Sequence, residues 1–143
     1  MKIALLSIFS VLVITGCTKN YPTVNQVFSA VYTVQASQWI QGTDPAPSNA
    51  TFYYTTLTVP ELTQSIDLNG GVVVYLSFDD PSSQSPTYEA LPEVFEGVAY
   101  GAIHTTGSVT VDLRGADGSS LTSAIGAPTM IKVVLMDASP LGN

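Results

Sequence analysis

The 143-residue sequence has one cysteine, one histidine, one tryptophan and only four basic residues. Each scarcity closes off a class of chemistry. With Cys17 alone, the chain can form no internal disulfide, and one histidine beside it gives no ligand cluster for a transition metal. Cysteine–histidine catalysis is out once Cys17 is consumed by lipid, as argued below. A serine triad would have to use His104 with Asp79, Asp80 or Asp112, and there is no G-x-S-x-G elbow. Lys2, Lys19, Arg114 and Lys132 face 11 acidic residues. That balance argues against nucleic acid and against charge-driven attachment to anionic lipid. Charged residues make up 10% of the chain, against about 25% in ordinary soluble domains. Either Ser, Thr, Asn, Gln and Gly cover the surface in the manner of exported β-proteins, or part of the surface is hidden against a partner.

What is present begins at the N-terminus. Lys2 precedes an apolar run, Ile3 to Val13, broken only by Ser7 and Ser10. Ile14-Thr15-Gly16-Cys17 then matches the bacterial lipobox. The run is too short to span a bilayer, which takes roughly 20 residues, and an ordinary secretory signal needs no cysteine at its cleavage site. Residues 1–16 therefore read as a lipoprotein signal peptide. Cys17 reads as the lipidated first residue of the mature chain, anchored stably because it carries more than one acyl chain. Residues 17–26 are a tether whose nine residues from Thr18 to Gln26 reach at most about 30 Å. Residues 27–143 remain for one domain.

That domain reads as all-β. The expected architecture is a single antiparallel β-sandwich of about seven strands, Ig-like or jelly-roll-like, with one short helix; an up-and-down barrel is the weaker alternative. Phe28 to Ala36 alternates, with the even positions apolar. Thr51 to Val59 is rich in aromatic and β-branched residues. Val72 to Phe78 is apolar nearly throughout, which suits a central strand covered on both faces. Val109, Val111 and Leu113 point inward from Ser108–Arg114, which pairs with Val98–Thr105 across a turn at Thr106-Gly107. Met130 to Met136 is the last strand. Thr58-Val59-Pro60-Glu61 reads as a capping box that opens a short helix, with Leu62 and Ile66 on one face and Gly70-Gly71 ending it.

Candidate chemistry is thin. His104 shares strand parity with Val98, Tyr100 and Ala102 and reads as a satisfied sheet histidine. Glu89, Glu93 and Glu96 could supply a glycosidase pair, but their closeness in sequence suits a solvated loop better. Calcium could use Asp79 with Asp80, or Asp112 with Asp117, although neither has EF-hand spacing and Asp favours turns. No metal or other cofactor is expected. Trp39, Tyr53, Tyr54, Tyr88 and Tyr100 could stack on sugar rings or anchor an interface. Trp39, Tyr53 and Tyr54 are the chosen contact candidates, and adjacent Tyr53 and Tyr54 must face opposite sides of their sheet.

The stretches VPELTQSIDLNGGVVVYLSF (Val59–Phe78), YEALPEVF (Tyr88–Phe95) and MIKVVLMDAS (Met130–Ser139) carry a resemblance. The pattern is similar to a small β-rich domain of secreted and lipid-anchored Bacteroidota proteins, often labelled collagen-like for repeats that this chain lacks. The resemblance spans roughly residues 30–139 and implies a sandwich-like fold and a periplasmic or surface address, with no activity. In such proteins an acidic run after the lipidated cysteine often accompanies surface export. Thr18-Lys19-Asn20 holds none, which leaves the periplasmic face of the outer membrane open; Thr18, rather than Asp, argues against inner-membrane retention. The function expected from all this is a non-enzymatic outer-membrane lipoprotein. It would join the membrane through lipid on Cys17 and serve as an accessory subunit of an envelope complex. A glycan- or ligand-binding module is the alternative.

Overall fold

Residues 108–115 form the strand in which sequence and structure agree most directly, with every second side chain buried from Val109 to Gly115. In the computed structural model, which describes residues 26–138, period-2 alternation of this kind builds two antiparallel sheets packed face to face. The lipobox with Cys17 and the tether as far as Asn25 lie outside the described residues, as do residues 139–143.

The strands are β1 (Val27–Val34), β2 (Ile40–Thr43), β3 (Thr51–Thr58), β4 (Gly71–Ser77), β5 (Glu89–Ala90), β6 (Glu93–Phe95), β7 (Val98–Thr105), β8 (Ser108–Gly115) and β9 (Thr129–Met136), with helix α1 (Gln64–Asn69) between β3 and β4. One sheet has the order β1-β9-β4-β5 and the other β2-β3-β8-β7-β6. The chain is thus an all-β sandwich, with nine strands among the described residues where about seven were expected. Six of them match stretches located in the sequence, and the three that were not located are β2, β5 and β6, all of four residues or fewer. A 3-10 turn at Ala36–Gln38 carries the chain from β1 across to β2 in the other sheet. The Leu91-Pro92 step makes the same crossing from β5 to β6 at the opposite edge.

Between the sheets, Val74, Leu76, Ile131, Val133 and Leu135 from one side meet Leu57, Val109, Val111 and Leu113 from the other. Each such side chain removed from water contributes about 1.5–3 kcal/mol. Leu62 and Ile66 close one end and are 0% and 5% exposed, as their i, i+4 spacing requires.

Two local expectations need correction. The helix is capped by Thr63, whose side chain accepts from the Ile66 amide. Thr58 cannot serve, because its backbone belongs to the β3 ladder opposite Ser108. Gly70 does end the helix, donating its amide to the Ile66 carbonyl. The second correction concerns β4. Val74 and Leu76 are buried, but the sandwich covers only their side of the sheet, so Val73 and Tyr75 face outward in a half-buried state.

Candidate functional site

The aromatic candidates separate according to strand register. Trp39 follows the 3-10 turn that joins the two sheets, and it is part of the core at 7% exposure. It is therefore not a contact residue, because its ring is already packed; its Nε1 is buried with no hydrogen-bond partner among the described residues. Tyr53 stands opposite Leu113 and packs half-buried against the core. Tyr54 stands opposite Ile40 and Asp112 on the outer face of the five-stranded sheet. Of the three, only Tyr54 offers an outward ring, so the opposite orientation of the two tyrosines holds.

Around Tyr54 the outer face sets an ordered polar cluster among exposed Ile40 and Ile103. Phe52 lies beside it with ring centroids 5.9 Å apart, and the Arg114 guanidinium sits 4.1 Å over the Phe52 centroid. Arg114 donates from Nε to Asp112 Oδ2 at 2.5 Å and from Nη1 to Asp44 Oδ1. The bond to Asp44 foremost, aided by Asp112, raises the guanidinium pKa despite partial desolvation. The floor is kept open by small residues. A Cβ on Gly42 would come within 2.5 Å of the Phe52 ring, and one on Gly101 within 2.6 Å of Asp112 Oδ1. Depressions of about 630 Å³, towards Phe52 and Tyr54, and about 460 Å³, towards Ala99 and Gly101, flank the Asp112–Arg114 pair. Phe52 is engaged by Arg114 and Gly42, so one free aromatic face and one ion pair are what this surface presents to a ligand. Neither Phe52 nor Asp44 stood out in the sequence, because both meet Arg114 only through the sheet.

The carboxylates form a second feature. Glu93 is half-buried, and its Oε1 is sealed from water without a partner among the described residues. Desolvation first, then a hydrogen bond to Glu89 and the charge of Glu89, push its pKa up to about 7. Glu89 and Glu93 therefore do not lie on a solvated loop as expected; they stand in β5 and β6, on either side of the Leu91-Pro92 crossing. Beside them Phe78 packs on Phe95 and Tyr100 at 5.8 and 5.5 Å.

His104 Nδ1 lies 2.8 Å from Asp67 Oδ1, and Thr106 donates to Asp67 Oδ2 at 2.9 Å. These bonds, that from His104 first, lower the Asp67 pKa, and they fasten α1 to the β7–β8 hairpin. The aspartates read as calcium candidates hold turns or ion pairs. Asp80 accepts from the Ser82 amide and hydroxyl, Asp79 accepts from the Thr87 amide, and Asp117 accepts from the Ser119 amide. Asp112 is bound to Arg114. Among the described residues no group of three or more His, Cys, Asp or Glu is placed to hold a metal ion.

The third feature is an open edge. β1 runs eight residues, VFSAVYTV, with no charge, and among the described residues it pairs with β9 alone. Val27 and Val31 are 66% and 53% exposed. On its inner side the sheets part, leaving an apolar cavity of about 180 Å³ lined by Phe28, Ala30, Val59, Glu61, Val133 and Leu135. Edge strands of soluble proteins are ordinarily guarded by Lys, Pro or a bulge; β1 has none of these among its residues. No helix among the described residues is long and apolar enough to cross a membrane. No protein-family model, curated protein or solved structure matches the chain.

Proposed function

We propose that the protein is a non-enzymatic lipoprotein of the outer membrane, held by acyl chains on Cys17, and that it works as an accessory subunit of a larger envelope assembly. The observation that carries this reading is the β1 edge, a charge-free strand that among the described residues pairs on one side only and so suits strand addition by a partner. The low overall charge fits a chain whose surface is shared with other proteins. A non-catalytic role is supported by the engagement of His104, the one histidine, with Asp67. The expected test result is co-purification with stoichiometric partners after mild detergent extraction, lost on Ser29→Lys, which places a charge on the edge without touching the core. Recovery of the wild-type protein as a lone monomer refutes the reading.

A second reading is supported by one arrangement, the Tyr54 ring beside the Asp112–Arg114 pair over an open depression. An aromatic face with a nearby carboxylate and guanidinium suits a sugar ring. Retention on a polysaccharide affinity gel, abolished by Tyr54→Ala in a folded protein, would favour it over the subunit reading.

A further inference from the structure

We propose that the outer face of the four-stranded sheet is a docking surface for the lipid bilayer. This rests on the reading of Cys17 as a lipid anchor and adds to it an orientation: the domain lies against the membrane on one defined face.

Charge is the first argument. The register places four positions of β1, four of β9, four of β4 and Ala90 of β5 on this face. None of them is acidic, although the chain carries 11 Asp and Glu. The one charge is Lys132. The strand positions of this face thus carry none of the acidic balance that opposes approach to anionic headgroups, although Asp79 holds the loop that brings Tyr88 onto it. What fills the face instead is Val27, Val31, Val73, Val134, Met136 and Tyr75.

The second argument is the setting of Lys132. Its ammonium lies 4.0 Å from the Tyr88 ring centroid and 4.6 Å from that of Tyr75. A lysine held between tyrosines, with valine and methionine around it, has the composition of a headgroup–acyl boundary. There the aromatic rings sit at headgroup level and the ammonium reaches phosphate.

Third, the edge strand of this sheet is the one that follows the tether. β1 begins at Val27, an outward position, and only nine residues separate it from Cys17. At full extension these reach about 30 Å, so the face is held at high effective concentration against the bilayer and weak apolar contact suffices to seat it. The outer face of the five-stranded sheet also exposes Ile40, Val94 and Ile103, but sets them around the Asp112–Arg114 ion pair and the paired Thr56 and Thr110, and would face away.

The test uses the full-length lipidated protein, with acylation of Cys17 verified by mass, in vesicles of phosphatidylethanolamine and phosphatidylglycerol. Environment-sensitive fluorophores are placed singly on Val31→Cys, Val73→Cys and, on the opposite sheet, Ile103→Cys. Each variant is first checked for cooperative melting. Labels at 31 and 73 should shift to the blue and be quenched by brominated lipid, at depths within about 10 Å of the headgroup boundary, while the label at 103 stays water-like. Adding Val134→Glu to the Val31→Cys protein should return its label to water. Three labels equally exposed on an acylated protein would overturn the docking face and leave the anchor standing; absence of acylation would instead overturn the anchor. A blue shift at 31 and 73 without quenching by brominated lipid would mean that protein, and not the bilayer, covers the face, and would also overturn the proposal.

Discussion

Replacing Glu93 by Gln isolates the one titration that this fold makes unfavourable near neutral pH. Folded Glu93 keeps its proton up to about 7, whereas a free glutamate releases it near 4.5. Below 4.5 the folded and unfolded chains are protonated alike and the site contributes no pH dependence. Between 4.5 and 7 the unfolded chain sheds a proton that the folded chain retains, so stability falls as pH rises; above 7 both are ionised and the penalty stays. At 1.36 kcal/mol per pH unit, the displacement is worth about 3 kcal/mol. The side chain is only half-buried, and water screening reduces the expected difference to about 1–2 kcal/mol. Gln has the shape of the protonated acid and keeps a donor for Glu89. Glu93→Gln should therefore equal the wild type at about pH 4 and exceed it by about 1–2 kcal/mol at about pH 8, where each kcal/mol is worth about 4–8 °C of Tm in a small domain. Urea unfolding followed by Trp39 fluorescence at the two pH values measures this. A wild-type stability that is flat or rising over that interval, or a variant weakened equally at both values, would refute the buried-proton reasoning. Asp67, Asp80 and Asp117 do not confound it. Their pKa values are lowered below 3.8, so their contribution is complete above that value and disappears only as pH falls through their folded pKa values.

Trp39→Phe removes a buried N–H that has no partner, a relief of about 1–3 kcal/mol set against the smaller ring; the variant should melt within about 1 kcal/mol of wild type. Leu62→Ala, with no polar atom to relieve, should lose about 2–5 kcal/mol by the same assay. Gly101→Ala drives a methyl into Asp112 Oδ1 at 2.6 Å and should destabilise by about 1–3 kcal/mol, while Gly126→Ala, with nothing within 4 Å, should be neutral or slightly stabilising. Asp67→Asn should lower Tm at neutral pH by loosening α1 from the β7–β8 hairpin, and the deficit should shrink as pH falls through the lowered Asp67 pKa. His104→Ala should act through the same bond, so that the double variant is less than additive.

Strands whose information is local were legible in the sequence. The alternation in β8, the β7–β8 hairpin with Gly107 at φ +82°, and the opposed orientation of Tyr53 and Tyr54 all follow from the period-2 pleat. The short strands were not legible, because two residues such as Glu89-Ala90 become a strand only when tertiary structure sets them beside Tyr75 and Leu76. The helix cap was misplaced for a similar reason: a Thr-x-x-Glu pattern was present, but the ladder had already claimed Thr58. The candidate site was largely hidden. Arg114 meets Asp44 across 70 positions of sequence, and nothing local marks Glu89 and Glu93 as partners across a sheet crossing. Trp39 illustrates the limit from the other side, since its residue type suited contact equally well and only its place between the sheets decides for packing.

The most instructive disagreement lies in β4 and β9. Their sequences, GVVVYLS and TMIKVVLM, are apolar on both faces, the pattern of strands covered on both sides. The sandwich supplies only one covering layer among the described residues, so Val73, Tyr75 and Val134 carry hydrophobic character that the fold itself does not use. The five-stranded sheet makes the contrast clear. Its outward positions on β3 and β8 are Phe52, Tyr54, Thr56, Thr58, Ser108, Thr110, Asp112 and Arg114, and although Ile40, Val94 and Ile103 are exposed on its other strands, they share that face with an ion pair that the four-stranded face lacks. Uniform adaptation to export would have made both outer faces polar, since Thr or Ser serves in a strand as well as Val does. What separates the two faces is charge: the outward strand positions of the four-stranded sheet, whose edge strand follows the tether, hold no carboxylate, while the other face is built around Asp112 and Arg114. The hydrophobic excess of β4 and β9 is thus better understood as half of an interface than as a misplaced core.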